Sequence, residues 1–258
     1  GDVVSGRAIA LLKLLRPDLE RTTGAAAEAL MDWDGRVTDD SQGALAFELL
    51  MLALAEAVGG DEAVSEGLPS SPIGPEQLLR LLAGGLDEGW WDDVAVPGAQ
   101  GRAELLDQVL EELDSSAIEG TWGDHHTIMF RHPLTEAPGI GWLFADSWNR
   151  GPFRLPGSNV TVNAQAWEAS HPFTVTTIPA ARFVADVGAW DESLLVLPVG
   201  QSGRPWSVHY ADQIQQWISN QPQPFVFSRQ AVDASATGSL VIRPDPGARR
   251  PPGGEDLQ

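Results

Sequence analysis

Between Asp39 and Gly60 the sequence carries a stretch that admits few folds. Asp39-Asp-Ser-Gln42 offers side chains that can cap a helix N-terminus, and Gly59-Gly60 supplies a stop, so the spacing predicts one long helix from about residue 41 to Val58. Apolar residues lie on most of its faces. A helix of that kind has to be surrounded by other elements, and it belongs inside a larger body. Its most apolar run, Leu49–Ala55, lies between Glu48 and Glu56 and is far shorter than the roughly 20 residues that cross a bilayer. A buried core helix is expected, and no membrane span.

The flanking sequence supplies partners for such a helix. From Val3 to about Leu15, apolar residues recur at helical spacing through Val4, Ala8, Leu11, Leu12 and Leu15, with Pro17 as the expected end. Ala25–Leu30 reads as a short second helix after Gly24. Residues 59 to 75 are rich in Gly, Ser and Pro and read as a loop; Pro75 then suits the first turn of a helix running to about Leu86. Arg102 to Leu113 is a further amphipathic helix. Trp90-Trp91 followed by Asp92-Asp93 offers a carbohydrate or peptide platform, but no second aromatic cluster accompanies it, and packing is the weightier reading.

After Asp114 the pattern changes to β-branched or alternating runs separated by Gly and Pro. His126–Arg131, Asn159–Asn163, Phe173–Ile178, Arg182–Val187 and Ser193–Val199 are read as strands, with Gly188–Glu192 as the loop of a hairpin between the last two. Ile214–Ile218 is a short helical pattern, and the Pro- and Gly-rich segment from Pro244 reads as an extended arm. The chain is thus expected to be α+β, with a helical part over 1–113, a strand-rich part over 114–243 and a tail over 244–258.

Charge and composition exclude some functions. With 36 acidic and 16 basic residues the net charge is -20, so no surface follows a phosphate backbone and nucleic acid is not an expected partner. The acidity is concentrated in the first 113 residues and reads as a solvated helical surface. The absence of cysteine removes disulfides, thiolate metal sites and cysteine nucleophiles from this chain. His125, His126 and His132 invite a metal, but adjacent histidines on a strand point to opposite faces and no carboxylate stands at ligand spacing, so no metal or cofactor is expected. No basic segment precedes an apolar one at Gly1-Asp-Val-Val4, which reads as a cytosolic protein or a processed piece.

The densest polar run is Gly200–Gln213. Ser202, following the strand, looks like a nucleophile elbow, yet Arg204 stands where Gly-x-Ser-x-Gly requires glycine. Ser202, His209 and Asp212 are too close in sequence to be expected to form a relay, because triads are defined by geometry.

Seven segments, in order and spacing, resemble the C-terminal part of the large (β) chain of penicillin acylases, which are N-terminal-nucleophile hydrolases. They are Leu30–Gly35 with Asp40-Ser41, Trp122-Gly123, His132-Pro-Leu134, Val160–Asn163, Arg182–Asp186, Gly200-Gln-Ser-Gly203 and Ser207–Gln213. The resemblance implies an αββα assembly in which this chain supplies a helical part and strands completing the central sheets. It implies hydrolysis of an N-acyl amide through an acyl-enzyme formed by an N-terminal Ser, Thr or Cys, with the α-amine as base. The substrate class spans β-lactam side chains, acyl-homoserine lactones and lipopeptides.

Gly1 has no side-chain nucleophile, and the region matched lies downstream of the family's nucleophile. The expected partners are therefore the other chains of the same processed acylase: its α chain and the nucleophile-bearing part of its β chain. Gly157-Ser158-Asn159 also looks like a self-cleavage junction, but too little chain follows Ser158 to form the nucleophile-bearing sandwich.

Within this chain the resemblance gives Asp186 a supporting catalytic role, orienting the histidine near the nucleophile. Cephalosporin-acylase relatives tend to carry Glu there, and Asp186 is otherwise a strand-end residue satisfied by local backbone. Asn163, Gly200, Gln201, Ser202, Gly203, Ser207, His209, Tyr210, Asp212 and Gln213 are signature supports. The resemblance favours a periplasmic or secreted location. The alternative is a noncatalytic binding or scaffold protein of the same descent, with Trp90, Trp91, Trp206 and Tyr210 as contact aromatics.

Overall fold

A computed structural model describes residues 2–65, 73–86, 88–91, 101–116, 119–139, 141–168 and 170–243. The expected tail over 244–258, the segment 66–72 and Asp92-Asp93 lie outside them. Helices come first: α1 (Gly6–Leu19), α2 (Ala25–Asp32), α3 (Gln42–Ser65), α4 (Pro75–Leu82), α5 (Arg102–Ser115) and a short α6 (Trp122–His125). Then follow β1 (Thr127–Phe130), α7 (Ala145–Trp148), β2 (Arg150–Arg154), β3 (Ala166–Glu168), β4 (His171–Thr177), β5 (Arg182–Val184), β6 (Leu194–Val196), α8 (Ile214–Ile218), β7 (Gln223–Pro224) and α9 (Arg229–Ser235). The fold is α+β, with helices preceding strands.

Helix α3 is the core helix the sequence demanded. Ser41 Oγ accepts the Ala44 N–H at 3.0 Å and caps its start. Ala46, Leu50, Leu54 and Val58 are buried among α1, α2, α4 and α5. Gly59-Gly60 does not end it. A helical glycine costs roughly 1 kcal/mol relative to alanine, a penalty that does not terminate a helix already nucleated and packed on several sides. The window Gln42–Gly59 has a mean hydropathy of 1.4 and by length and composition could cross a bilayer, although its central run Leu49–Ala55 alone could not. Half of that window is buried inside this structure.

Pro17 likewise lies within α1 and does not stop it. It sits in the last turn, where its missing N–H forfeits one hydrogen bond, and the following Asp18 and Leu19 are anchored in the core. Gly24 has no side chain to cap α2, and Asp114 of α5 does so instead, its Oδ1 accepting the Ala26 N–H at 2.8 Å. A Cβ on Gly24 would meet Asp114 Oδ2 at 1.7 Å, so the glycine is a condition of this long-range cap. The Trp90-Trp91 platform is not formed: Trp91 is 4% exposed and lies beneath the Arg102 guanidinium.

Two small sheets follow. One has the order β2-β1-β4-β3, with β1 and β4 parallel and the other pairs antiparallel; the second is antiparallel, β5-β6-β7. Pro224 is tolerated because β7 is an edge strand. The expected hairpin is present, Phe183 opposite Leu195, with Gly188–Glu192 in its loop. Ile128, Leu155, Val175, Val196 and Trp217 form a core shared by both sheets and α8. Trp122, Phe173, Val37, Ala44 and Leu45 form another, where α3 meets the strand-rich part.

Two expectations fail here. His125 ends α6 and His126 follows as its cap, so the two do not alternate on a strand. Asn159–Asn163 is a set of turns. Thr161 Oγ1 accepts the Ser158 N–H at 2.9 Å and donates to the Asn163 carbonyl at 2.8 Å, a local arrangement that displaces ladder bonding.

Candidate functional site

Asp186 lies just beyond β5, where the chain leaves the strand for the hairpin loop. Its Oδ1 accepts the backbone N–H groups of Gly188 and Ala189 at 2.8 and 2.9 Å, and its own N–H donates to Ser193 Oγ at 3.2 Å. This is an Asx-type turn, a conformation Asp favours because its short side chain reaches the backbone two and three residues on. The carboxylate is exposed and fixed in orientation. Among the described residues Oδ2 accepts no hydrogen bond.

The Gly200–Gln213 segment folds back on itself into the wall of an open groove of about 540 Å³. Gln201, Ser202, Ser207, His209, Asp212 and Gln213 line it, together with Gln223 of β7. Gly200 makes this return possible: a Cβ there would meet the His209 carbonyl oxygen at 2.2 Å. The Ser202 N–H donates to that carbonyl at 3.0 Å, and Gln213 closes the base, its N–H donating to the Val199 carbonyl and its Oε1 accepting the Leu197 N–H. A Cβ on Gly203 would meet nothing within 4 Å, so this glycine owes its place to no steric demand.

His209 Nδ1 donates to Asp212 Oδ2 at 2.8 Å, which leaves Nε2 as the acceptor of the neutral ring. That is two-thirds of a relay, and the rest is missing. Ser202 Oγ accepts the Arg204 N–H and Ser207 Oγ accepts the His209 N–H; neither hydroxyl bonds to His209 Nε2 among the described residues. The pair is also open to water, His209 at 69% exposure, where a charge-stabilising relay gains little. Chemically the groove offers polar recognition.

Tyr210 points elsewhere: its hydroxyl donates to the Trp148 carbonyl at 2.6 Å, and the Arg150 guanidinium lies 4.9 Å from its ring centroid. Burial raises its phenol pKa, against the opposing pull of Arg150. Asn163 belongs to a third network. It is buried, and its Oδ1 accepts from Gln165 Nε2 at 3.1 Å and from the Arg182 guanidinium, which lies over the Trp217 ring. The structure thus gathers six of the ten signature residues into one groove and gives Asn163 and Tyr210 separate structural duties.

Sequence reasoning passed over Glu48. It faces a cavity of about 220 Å³ beside α1, α3 and α4, lined also by Arg7, Asn159 and Trp167. Burial pushes its carboxyl up to about 7, against the lowering effects of a hydrogen bond with Ser158 and the charge of Arg7. The signal was a lone acid within the run Leu45–Leu54. Ser158 is itself buried, and so is Gly157, so the Gly157–Ser158 bond lies inside the fold. Among the described residues no group of three or more His, Asp or Glu side chains stands at metal-binding distance.

A profile of the penicillin amidase family matches residues 1–234. The chain belongs to the penicillin amidase family. The penicillin acylase 2 proenzyme of Pseudomonas sp. strain SE83 is 29% identical over 232 residues, covering 84% of this chain and 28% of that protein. The acyl-homoserine lactone acylase QuiP of Pseudomonas aeruginosa is 26% identical over 242 residues, with 84% and 28% coverage. QuiP of Pseudomonas putida is 26% identical over 227 residues, covering 82% and 27%. This penicillin amidase chain therefore spans between a quarter and a third of the length of these curated relatives, all named as acylases.

Proposed function

We propose that this chain is the C-terminal portion of an acylase that hydrolyses an N-acyl amide, with the nucleophile at the N-terminus of another chain. The observation that carries the proposal is the coverage: the family profile runs over residues 1–234, while the chain spans 28% of the first relatives. The substrate would belong to the β-lactam side-chain, acyl-homoserine lactone or lipopeptide class, in keeping with the relatives' names.

In this mechanism an N-terminal Ser, Thr or Cys attacks the amide carbonyl while its own α-amine takes the proton. The amine leaves as it is protonated, and water then releases the carboxylic acid from the acyl-enzyme. Asp186 would act as a positioning residue: Oδ1 is held by two backbone N–H groups, and Oδ2 is available to orient an imidazole near the nucleophile. Gly200–Gln213 would shape the polar edge of the assembly.

The surface around Asp186 supports a partner chain. Phe183 and Val184 on the edge strand β5 are 53% and 59% exposed, and Val187 and Phe227 are 78% and 71% exposed. An exposed apolar sheet edge is a surface on which further strands add. These strands would complete the central sheets of an αββα assembly together with the nucleophile-bearing part. Intact-mass analysis of the purified assembly tests the proposal: a companion chain beginning with Ser, Thr or Cys is expected. A stable, isolated chain with no companion would refute it.

A further inference from the structure

The cavity beside α1, α3 and α4 is separate from the Asp186 surface and from the Gly200–Gln213 groove, and the acylase reading makes no use of it. Its walls are mainly apolar, with Leu11, Phe47, Met51, Leu52, Ile73 and Leu78 among them. Its volume, about 220 Å³, exceeds the roughly 150 Å³ at which an apolar cavity in another protein admits benzene. An apolar molecule of six to eight heavy atoms is therefore a matching size.

Besides Asn159, three polar side chains stand on this wall, and two of them have no hydrogen-bond partner among the described residues. No hydrogen bond or close ion pair occupies the Arg7 guanidinium among the described residues, although Arg7 lines the cavity. Trp167, on the same wall, has a buried Nε1–H with no acceptor. Glu48 is the third. Among the described residues the charged groups lining the cavity are Arg7 and Glu48, and the group bonded to Glu48 is the Ser158 hydroxyl. With Glu48 protonated the site carries one positive charge and three donor groups: a guanidinium, a carboxylic O–H and an indole N–H. A half-buried guanidinium and an unpaired indole N–H beside an apolar cavity suit an anionic acceptor.

We propose that this cavity binds a small aliphatic carboxylate, its tail among Leu11, Phe47, Met51 and Leu78 and its head between Arg7 and the side chain of Glu48. A carboxylate bound there would share one proton with Glu48, since two adjacent carboxylates cannot both be ionised without a large cost. Binding is then linked to the uptake of a proton by Glu48. With that carboxyl titrating at about 7, the protonated fraction falls about tenfold between pH 6 and pH 8, and affinity falls with it. The inference does not depend on the acylase reading, because it uses none of the residues assigned to that chemistry.

The test is isothermal titration calorimetry of hexanoate against the full chain in the assembly in which it purifies, at pH 6 and pH 8, with hexanol and hexylamine as controls. Hexanoate is expected to bind about tenfold more weakly at pH 8 than at pH 6 and to bind more tightly than hexanol at pH 6. Glu48→Gln keeps a donor and removes the titration, so its hexanoate affinity should be the same at both pH values. Arg7→Met should weaken hexanoate at least tenfold and leave hexanol unchanged. The proposal is overturned by the absence of hexanoate binding at pH 6, by wild-type affinity that ignores pH, or by full affinity in Arg7→Met. Hexylamine binding that tightens toward pH 8 would overturn it too, since that identifies an ionised Glu48 as the recognition group.

Discussion

Arg102 grips Asp18 across the helical core. Its Nε and Nη2 donate to the same Oδ2 at 3.2 and 2.7 Å, while Nη1 donates to the Leu82 carbonyl and Nη2 to the Leu14 carbonyl. One guanidinium therefore joins α1, α4 and α5, and its face lies over Trp91. Asp18, 9% exposed, has Arg21 as its other cationic partner at 2.8 Å.

Arg102→Lys should cost about 2 kcal/mol, because a lysine has one ammonium where four donations in a fixed plane are required, and a buried carboxylate left underpaired is expensive. Urea unfolding of the variant reads this directly. A loss below half a kcal/mol would mean that Arg21 alone satisfies Asp18.

Stability should depend on pH through two groups of opposite sign, the half-buried Glu48 and the buried His126. Glu48 has a raised pKa, so its contribution is fully present below 4.5 and is lost as pH rises through about 7, a difference of roughly 3 kcal/mol. His126 has a lowered pKa, chiefly from burial, so its contribution is present above 6.5 and is lost as pH falls below that value. Glu48→Gln should therefore be more stable than wild type at pH 8 and lose that advantage near pH 4.5. Thermal melts of both proteins across this range test the sign, and a constant difference would be the contrary result.

Asp186→Asn in the assembled enzyme should lower kcat at least tenfold with KM little changed, and should shift the pH–rate profile through the oriented histidine. Asn keeps the Oδ1 acceptor for Gly188 and Ala189, so the turn and the assembly should survive. An unaltered kcat and profile would leave the residue a turn-former only.

Gly200→Ala should destabilise by about 1–3 kcal/mol and disturb the groove, since the obstacle to its Cβ is the backbone carbonyl of His209 at 2.2 Å. Gly203→Ala meets open space and should be neutral within half a kcal/mol. Paired thermal melts distinguish the two glycines, and equal effects would contradict the geometry.

The sequence revealed those elements whose periodicity matched their burial. Helix α3 was legible because apolar residues occupy most of its faces, β4 because alternation matched its half-buried face, and β5 and β6 because apolar runs flank a turn-forming loop. Asn159–Asn163 misled for the same reason: Val160 and Val162 have strand character, but Thr161 satisfies the backbone locally, and Val162 is left 82% exposed. β3 and α7 lacked any such signal, being three and four residues long. Of the site, the Gly200–Gln213 run stood out by its polar density, but Asp186 was visible only through resemblance, and the groove's shape depends on the return past Gly200. Glu48 was visible as an acid among leucines, but its meaning depends on Arg7, 41 positions earlier, and on Ser158, from a distant turn.

Helix α3 has one more consequence. Trp33 and Leu49 pack against both the cluster formed by the early helices and the cluster around Trp122 and Phe173, so the two cores have residues in common. Energy lost in one is felt by the other, since a shift of Trp33 or Leu49 alters the packing of both. The helical part and the start of β4 are thereby linked across α3, so that local opening on one side weakens the other.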